Sequence, residues 1–281
     1  MPTSTDLPGG TLGFVPTMGA LHAGHTSLIE AAAAECDRVV VSIFVNPAQF
    51  GEGEDFERYP RTLEKDYELA KAAGAQYVWM PKLEEIYPDY PVTVSPEGAV
   101  DPGSLAHPWE GECRPGHFEG VVTVVKRLFD LIQPDRAYFG EKDFQQLRVI
   151  EGMTQSLSLP IEIVRCQTVR DESGLALSSR NRYLSAEELK IAQSIPLALQ
   201  AACGAAKFKK GGEGEKDSAV LLGLAKAQLD ERIRLDYLSI VDEESLERLA
   251  RLGSDGCTPP ARILFAGHLN STRLIDNMSL C

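Results

Sequence analysis

The chain has 281 residues, 43% hydrophobic and 25% charged, the balance of a globular protein with ample core. Its formal net charge of −13 repels phosphate backbones over most of the surface, which excludes a nucleic-acid partner held by a basic stripe. A nucleotide can bind such a protein only where cations cluster or a divalent metal accompanies it.

No apolar run approaches the roughly 20 residues that span a bilayer, so no membrane partner is expected. The N-terminal MPTSTDLPGG lacks the basic and apolar regions of a signal peptide. Cys36, Cys113, Cys166, Cys203, Cys257 and Cys281 are scattered without a CxxC pair, which points to reduced thiols in a cytoplasmic protein.

In chain order, residues 12–16, 38–45, 76–80, 136–139 and 161–169 read as strands, and 26–36, 63–73, 118–132 and 143–157 as helices. The second strand, RVVVSIFV, is nearly continuous and β-branched, as a strand buried on both faces is. Strands alternating with helices of this length predict βαβ units and a parallel sheet, whose ligand crevice lies beyond the carboxyl ends of the strands. Residues 84–117 interrupt the rhythm with six prolines and four glycines. A loop of that length in a compact domain is usually functional or mobile.

A boundary is expected near residue 170, giving domains 1–170 and 171–281. In the second, Ser185 to Glu188 form a capping-box signature that opens a helix of about 20 residues. KKGGEGEKD at 209–217 is a surface connection. Beyond it the pattern reads helix, strand (235–241), short helix, strand (262–269) and a last strand around Leu274.

Unusual sequences fall where strands hand over to helices. GFVPTMGALHAGH at 13–25 runs from a strand through a turn into a helix start carrying His22 and His25. Helix N-termini point N–H groups and the positive dipole end at one spot, which binds anions. Imidazoles there can donate to phosphate oxygens as charge builds up. The alternatives are a turn with two solvated histidines, or zinc, for which HxxH supplies two ligands and no HExxH pattern exists.

The second strand ends in Asn46-Pro47-Ala48-Gln49, where an amide that both donates and accepts suits a substrate bearing hydroxyls beside a carboxylate. The fourth runs into Gly140-Glu141-Lys142-Asp143, which places Lys142 in a first helical turn and Gln146 four residues on, facing the same way. Gly174 to Arg182 holds two adjacent serines and two arginines that can wrap a triphosphate or form a polar linker. Arg114-Pro-Gly-His117 adds a basic group at the end of the long loop. No GxxxxGK[ST] occurs, and GEGEDF at 51–56 lacks the third glycine of a dinucleotide fingerprint.

Together PTMGALHAGH, VSIFVNPAQF, YPRT, RPGHFEGV, IQPDRAYFGEKDFQQL, GLALSSRNRYL and RLIDN, in order from residue 15 to 277, resemble the pantothenate synthetase (pantoate–β-alanine ligase) family. HxGH alone indicates only a wider nucleotidyltransferase superfamily; the later segments narrow it. The resemblance implies an α/β fold: a Rossmann-like parallel sheet with helices on both faces, plus a smaller α/β C-terminal lid domain, in a homodimer. It implies ligation of (R)-pantoate to β-alanine, dependent on ATP and Mg2+, through a pantoyl-adenylate with release of AMP and diphosphate.

Carried over motif by motif, Met18, Gly19, Ala20, Leu21, His22, Ala23, Gly24 and His25 hold ATP, with His25 the proton donor. Gly140, Glu141, Lys142, Asp143, Val169, Leu177, Ser178, Ser179 and Arg180 complete the ATP site. Gln49 binds pantoate and β-alanine, Gln146 binds pantoate, and YPRTLEKD offers Glu64 and Asp66 for the metal, Asp66 being the choice. His22, His25, Lys142, Ser178, Ser179 and Arg180 form the expected catalytic set. Only a short stretch precedes residue 12, where family members usually carry a helix; this departure concerns packing rather than chemistry. Two rival readings stand at this stage: an adenylating enzyme acting on another acid, and a non-catalytic nucleotide-binding regulator on the same fold.

Overall fold

A computed structural model of the chain describes residues 9–88, 100–207, 214–253 and 258–280. It comprises two compact units, Met1–Thr168 and Val169–Cys281. The first alternates strands and helices: β1 (Leu12–Thr17), α1 (Ala23–Glu35), β2 (Arg38–Ile43), α2 (Leu63–Ala72), β3 (Tyr77–Trp79), α3 (Leu83–Ile86), α4 (Glu110–Cys113), α5 (His117–Ile132), β4 (Arg136–Gly140), α6 (Phe144–Ser156) and β5 (Glu162–Cys166). The five strands form one parallel sheet in the order β3-β2-β1-β4-β5.

The period of two along each strand divides the apolar residues between two cores. Leu12 and Phe14 of β1, Val40 of β2, and Ala137 and Phe139 of β4 join one core, covered by α5 and α6 through Phe118, Val122, Phe129, Leu147 and Ile150. Val15, Val39, Val41 and Tyr138 join the other, covered by α1 and α2 through Leu28, Ile29, Ala32 and Ala70. Helices therefore lie on both faces, which is why β2 reads as unbroken β-branched sequence. Phe14 is fully buried and meets Phe129 edge-on at 6.3 Å between centroids. Such a side chain contributes about 2–3 kcal/mol through burial alone.

Two boundaries of the first unit differ from expectation by three residues, each for a physical reason. α1 begins at Ala23 rather than residue 26, because the His22 side chain caps it. β5 stops at Cys166 rather than 169, because Val169 pairs instead within the second unit, where its carbonyl accepts from Leu177 N at 3.0 Å.

The second unit holds α7 (Ala186–Ala192), α8 (Ser194–Ala206), α9 (Ser218–Lys226), β6 (Ile233–Asp242), β7 (Ala261–Leu269) and β8 (Thr272–Ser279). Its three strands form an antiparallel sheet, β6-β7-β8. Ile240, Ile263 and Phe265 of that sheet share a core with Ile195, Leu199, Ala202 and Leu221 of α8 and α9.

The single helix expected after Ser185 is two. The capping box is present, with Glu188 N donating to Ser185 Oγ at 3.2 Å. Pro196 then offers no N–H to the carbonyl of Ala192, and the run breaks at Gln193. The short helix expected after β6 is a turn. Asp242 Oδ1 accepts from Glu244 N at 2.8 Å and Ser245 N at 2.7 Å, and Leu246 leaves helical space at φ 58°.

Among the described residues no helix is long and apolar enough to cross a membrane. Cys36, Cys113, Cys166 and Cys203 carry free thiols. The N-terminal residues 1–8, part of the long loop (89–99), part of the surface connection (208–213), and Cys257 and Cys281 lie outside the described residues.

Candidate active site

β2, β1 and β4 are neighbours in a parallel sheet, so their carboxyl ends open side by side within about 10 Å at the usual strand spacing. Phe44 N still donates to Thr17 O at 3.0 Å where β2 and β1 end. The strand order changes direction between β1 and β4, and open α/β sheets bind ligands at such a point.

The exit of β1 is a tight turn. Gly19 takes φ 79° and Ala20 φ 52°, and a Cβ on Gly19 would lie 3.0 Å from both Asp66 and Ile43. Ala20 N and Leu21 N donate to the two carboxylate oxygens of Asp66, each at 2.8 Å, and Thr62 Oγ1 adds a third bond at 3.1 Å. The turn feeds α1, where His22 Nδ1 accepts from Gly24 N at 3.1 Å and His25 Nδ1 from His22 N at 3.4 Å. Both Nδ1 atoms therefore act as lone pairs, and each neutral ring carries its proton on Nε2, the atom from which it donates. The rings lie 4.1 Å apart between centroids. α1 has no acidic residue in its first turn, so its positive end is not offset by its own side chains.

At the exit of β2, Asn46 caps the short 3-10 turn Pro47–Gln49 through Oδ1, which accepts from Ala48 N at 3.2 Å and Tyr87 Oη at 2.8 Å. Its Nδ2 donates to Gln49 Oε1 at 3.1 Å, and Gln49 Nε2 reaches Met18 Sδ at 3.2 Å. The β1 and β2 exits thus touch through the proposed substrate amide. Arg114 is no loose cation: it grips Glu54 of the GEGEDF segment at 2.6 and 2.7 Å. Burial works to raise the Glu54 carboxyl, but hydrogen bonds to Arg114 and its charge hold it below the usual range.

Past β4, Gly140 leads into a 3-10 turn, Glu141–Asp143, and α6 starts only at Phe144. Lys142 sits in that turn rather than in the helix, 3.4 Å from Asp143 Oδ1. Gln146, half-buried, lies in the first turn of α6. Its neighbour Gln145 turns inward, accepting from Glu110 N at 3.0 Å and donating to the carbonyls of Leu105 and Pro108. Neither Asn46 nor Gln145 is among the expected site residues; Asn46 carries a signal in its Asn-Pro, whereas Gln145 carries none.

In the second unit, Arg170 and Ala176 face each other as an antiparallel bridge, flanked by Leu177 N donating to Val169 O at 3.0 Å and Asp171 N to Leu175 O at 2.9 Å. Ser178 caps the 3-10 turn Ser179–Tyr183, its Oγ accepting from Arg180 N at 3.3 Å, and Ser179 is buried. This hairpin is tied to β8: Arg170 donates to both oxygens of the buried Asp276, at 2.7 and 2.9 Å, and to Asn277 O at 3.0 Å. The RLIDN segment of the sequence is therefore an anchor for the serine–arginine loop.

Asp66, the residue expected to hold the metal, is placed beneath the β1 turn. Asp66 has no exposed surface and both its oxygens already accept main-chain N–H groups, so it braces the β1 turn instead of offering an open ligand. Glu64 is exposed on α2. Among the described residues no group of three or more His, Cys, Asp or Glu side chains is placed to hold a metal ion. These residues do not fit a protein-held magnesium.

A parallel sheet in this order, with paired histidines at the start of the first helix, defines a nucleotide-binding α/β protein. The family profile described as Pantoate-beta-alanine ligase matches residues 3–279, and the chain belongs to that family. It is 49% identical to the pantothenate synthetase of Rubrobacter xylanophilus over 276 residues, covering 97% of this chain and 92% of that one. Among solved structures it is similar to pantothenate synthetase from Thermus thermophilus, with TM-score 0.88, 46% identity, and 99% and 96% of the two chains covered. It is also similar to pantoate-beta-alanine ligase from Francisella tularensis complexed with beta-gamma ATP and beta-alanine, with TM-score 0.77, 33% identity, and coverage of 99% and 93%.

Proposed function

We propose that this enzyme ligates (R)-pantoate to β-alanine at the expense of ATP, releasing AMP and diphosphate. The observation that carries the residue assignment is the side-by-side opening of the β1, β2 and β4 exits. Together these exits hold the paired histidines, the Gln49 amide and Lys142.

A carboxylate is a poor electrophile, and transferring AMP to it creates a good leaving group. The pantoate carboxylate attacks the α-phosphorus while the bond to diphosphate breaks. Negative charge grows on the phosphate oxygens, where Nε2–H of His22 and His25 and the Lys142 ammonium stabilise it, while Met18 to Gly24 form the braced turn against which the nucleotide lies. Val169, Leu177, Ser178, Ser179 and Arg180 supply further nucleotide contacts from the second unit, which we take as the lid. Gln49 orients both acyl substrates and Gln146 the pantoate; positioning is the largest task. The amine of β-alanine then attacks the acyl carbonyl, AMP departs, and the nitrogen loses a proton.

ATP enters as its magnesium salt, the metal riding on the phosphates rather than in a protein cage. The enzyme works in the cytoplasm as a homodimer. An assay of AMP release with pantoate or β-alanine omitted in turn tests the reaction. Release should need both for turnover, while ATP–diphosphate exchange should need pantoate alone. Exchange with another acid in place of pantoate would refute the substrate assignment.

A further inference from the structure

The RPGH segment found no part in the chemistry above, yet two of its side chains converge on one atom. His117 Nδ1 lies 2.9 Å from the main-chain oxygen of Gln49, and Arg114 Nη2 lies 3.3 Å from the same oxygen. We infer that His117, assisted by Arg114, is a positioning residue that fixes Gln49 for the acyl substrates. This inference rests on the reading of Gln49 as their ligand.

The hydrogen-bond roles are fully determined. A carbonyl oxygen only accepts, so His117 carries its proton on Nδ1. Its Nε2 is then a lone pair, and it faces Arg114 Nη1 at 3.1 Å, a group that only donates. A second proton on the ring would set two donors against each other. Burial, followed by the Arg114 charge, accordingly pushes the imidazole down to about 4, against the opposing pull of the hydrogen bond to Gln49 O and then of Glu110 and Glu54. The Arg114 charge is matched by Glu54 at 2.6 Å, with Glu110 at 4.0 Å, so this cation serves the clamp and not a phosphate.

The clamp transmits the rigidity of the core. His117 is the first residue of α5, the most deeply buried helix of the first unit. One turn on, Gly120 lies so close to the 47–49 turn that a Cβ there would be 2.2 Å from Ala48 O. Asn46 Nδ2 also donates to Gly120 O at 3.1 Å. With its main chain held by α5 and its Oε1 by Asn46, Gln49 meets a substrate with little freedom left to lose.

The test is steady-state kinetics of Gln49→Ala, His117→Leu, His117→Asn and the double variant Gln49→Ala/His117→Leu, each substrate varied in turn. Loss of one hydrogen bond predicts a KM for pantoate or β-alanine raised about tenfold in His117→Leu, with the KM for ATP nearly unchanged. Asn places its Nδ2 where Nδ1 stood, so His117→Asn should recover most of the loss. In the Gln49→Ala background His117→Leu should add nothing. Three results overturn the inference: unchanged acyl-substrate KM values in His117→Leu, an equal rise for ATP, or additive effects in the double variant. If Gln49→Ala itself leaves those KM values intact, the underlying reading of Gln49 fails, and the inference falls with it for a separately visible reason.

Discussion

Two buried carboxylates, Asp66 and Asp276, lie beneath two loops assigned to ATP, and they hold them in different ways. Asp66 accepts main-chain N–H groups of the β1 turn, so it fixes backbone geometry whatever side chains the turn carries. Asp276 holds one guanidinium, and its grip on the 169–180 hairpin depends on the identity of Arg170. The first device is rigid and local, set under a turn whose two positive φ angles need bracing. The second is an ion pair whose arginine is partly exposed, and it yields more readily. The turn under the histidines is accordingly built to stay put and the serine–arginine loop to adapt.

Removing the carboxylate gives the largest expected effect. Asp66→Ala leaves two buried amides without acceptors and should cost roughly 4 kcal/mol of stability, read by denaturant unfolding. Magnesium dependence in the surviving enzyme should be unaltered, and loss of metal affinity alone would restore Asp66 as a ligand.

Acid should act next, and on the first unit. His117 is held down to about 4 from 6.5, so the unfolded chain binds more protons between those values and stability falls as pH drops through that window. Glu54, also lowered, is kept ionised in the folded state and adds to the loss at lower pH. The His117 contribution is up to about 3 kcal/mol. It should vanish in His117→Asn when unfolding is followed from pH 7 to 4; a pH-independent midpoint in the parent would contradict the clamp's neutral imidazole.

Lys142→Ala should lower kcat about a hundredfold, the scale for one preorganised charge contact, with little change in melting temperature. Near-normal turnover would remove Lys142 from the mechanism. The smallest effect is expected from Asp276→Asn, about 1 kcal/mol, together with a raised KM for ATP. If Asp276→Asn costs as much stability as Asp66→Ala, the contrast between the two loops is wrong.

The sheet was legible because period-two alternation and β-branched runs report burial on both faces directly. The capping box at Ser185 was legible too, since its partners lie three residues apart. The start of α1 was read three residues late because histidine is not among the usual caps. Asp66 looked like an acidic residue in the first turn of α2; only a contact 46 residues away shows what it does. The partners of Arg114 and His117 lie 60 to 68 residues distant, beyond any local pattern. The candidate site was legible as motifs, but the groups that brace those motifs were not, because bracing is a matter of tertiary distance.

The central claim is that the exits of β1, β2 and β4 form one site for ATP and pantoate together. Pantoate-dependent exchange between ATP and diphosphate, measured without β-alanine, tests it most directly. Exchange should be strong in the parent, abolished without pantoate, and reduced about a hundredfold in Lys142→Ala. Exchange that proceeds without pantoate, or that is indifferent to the loss of Lys142, would contradict it.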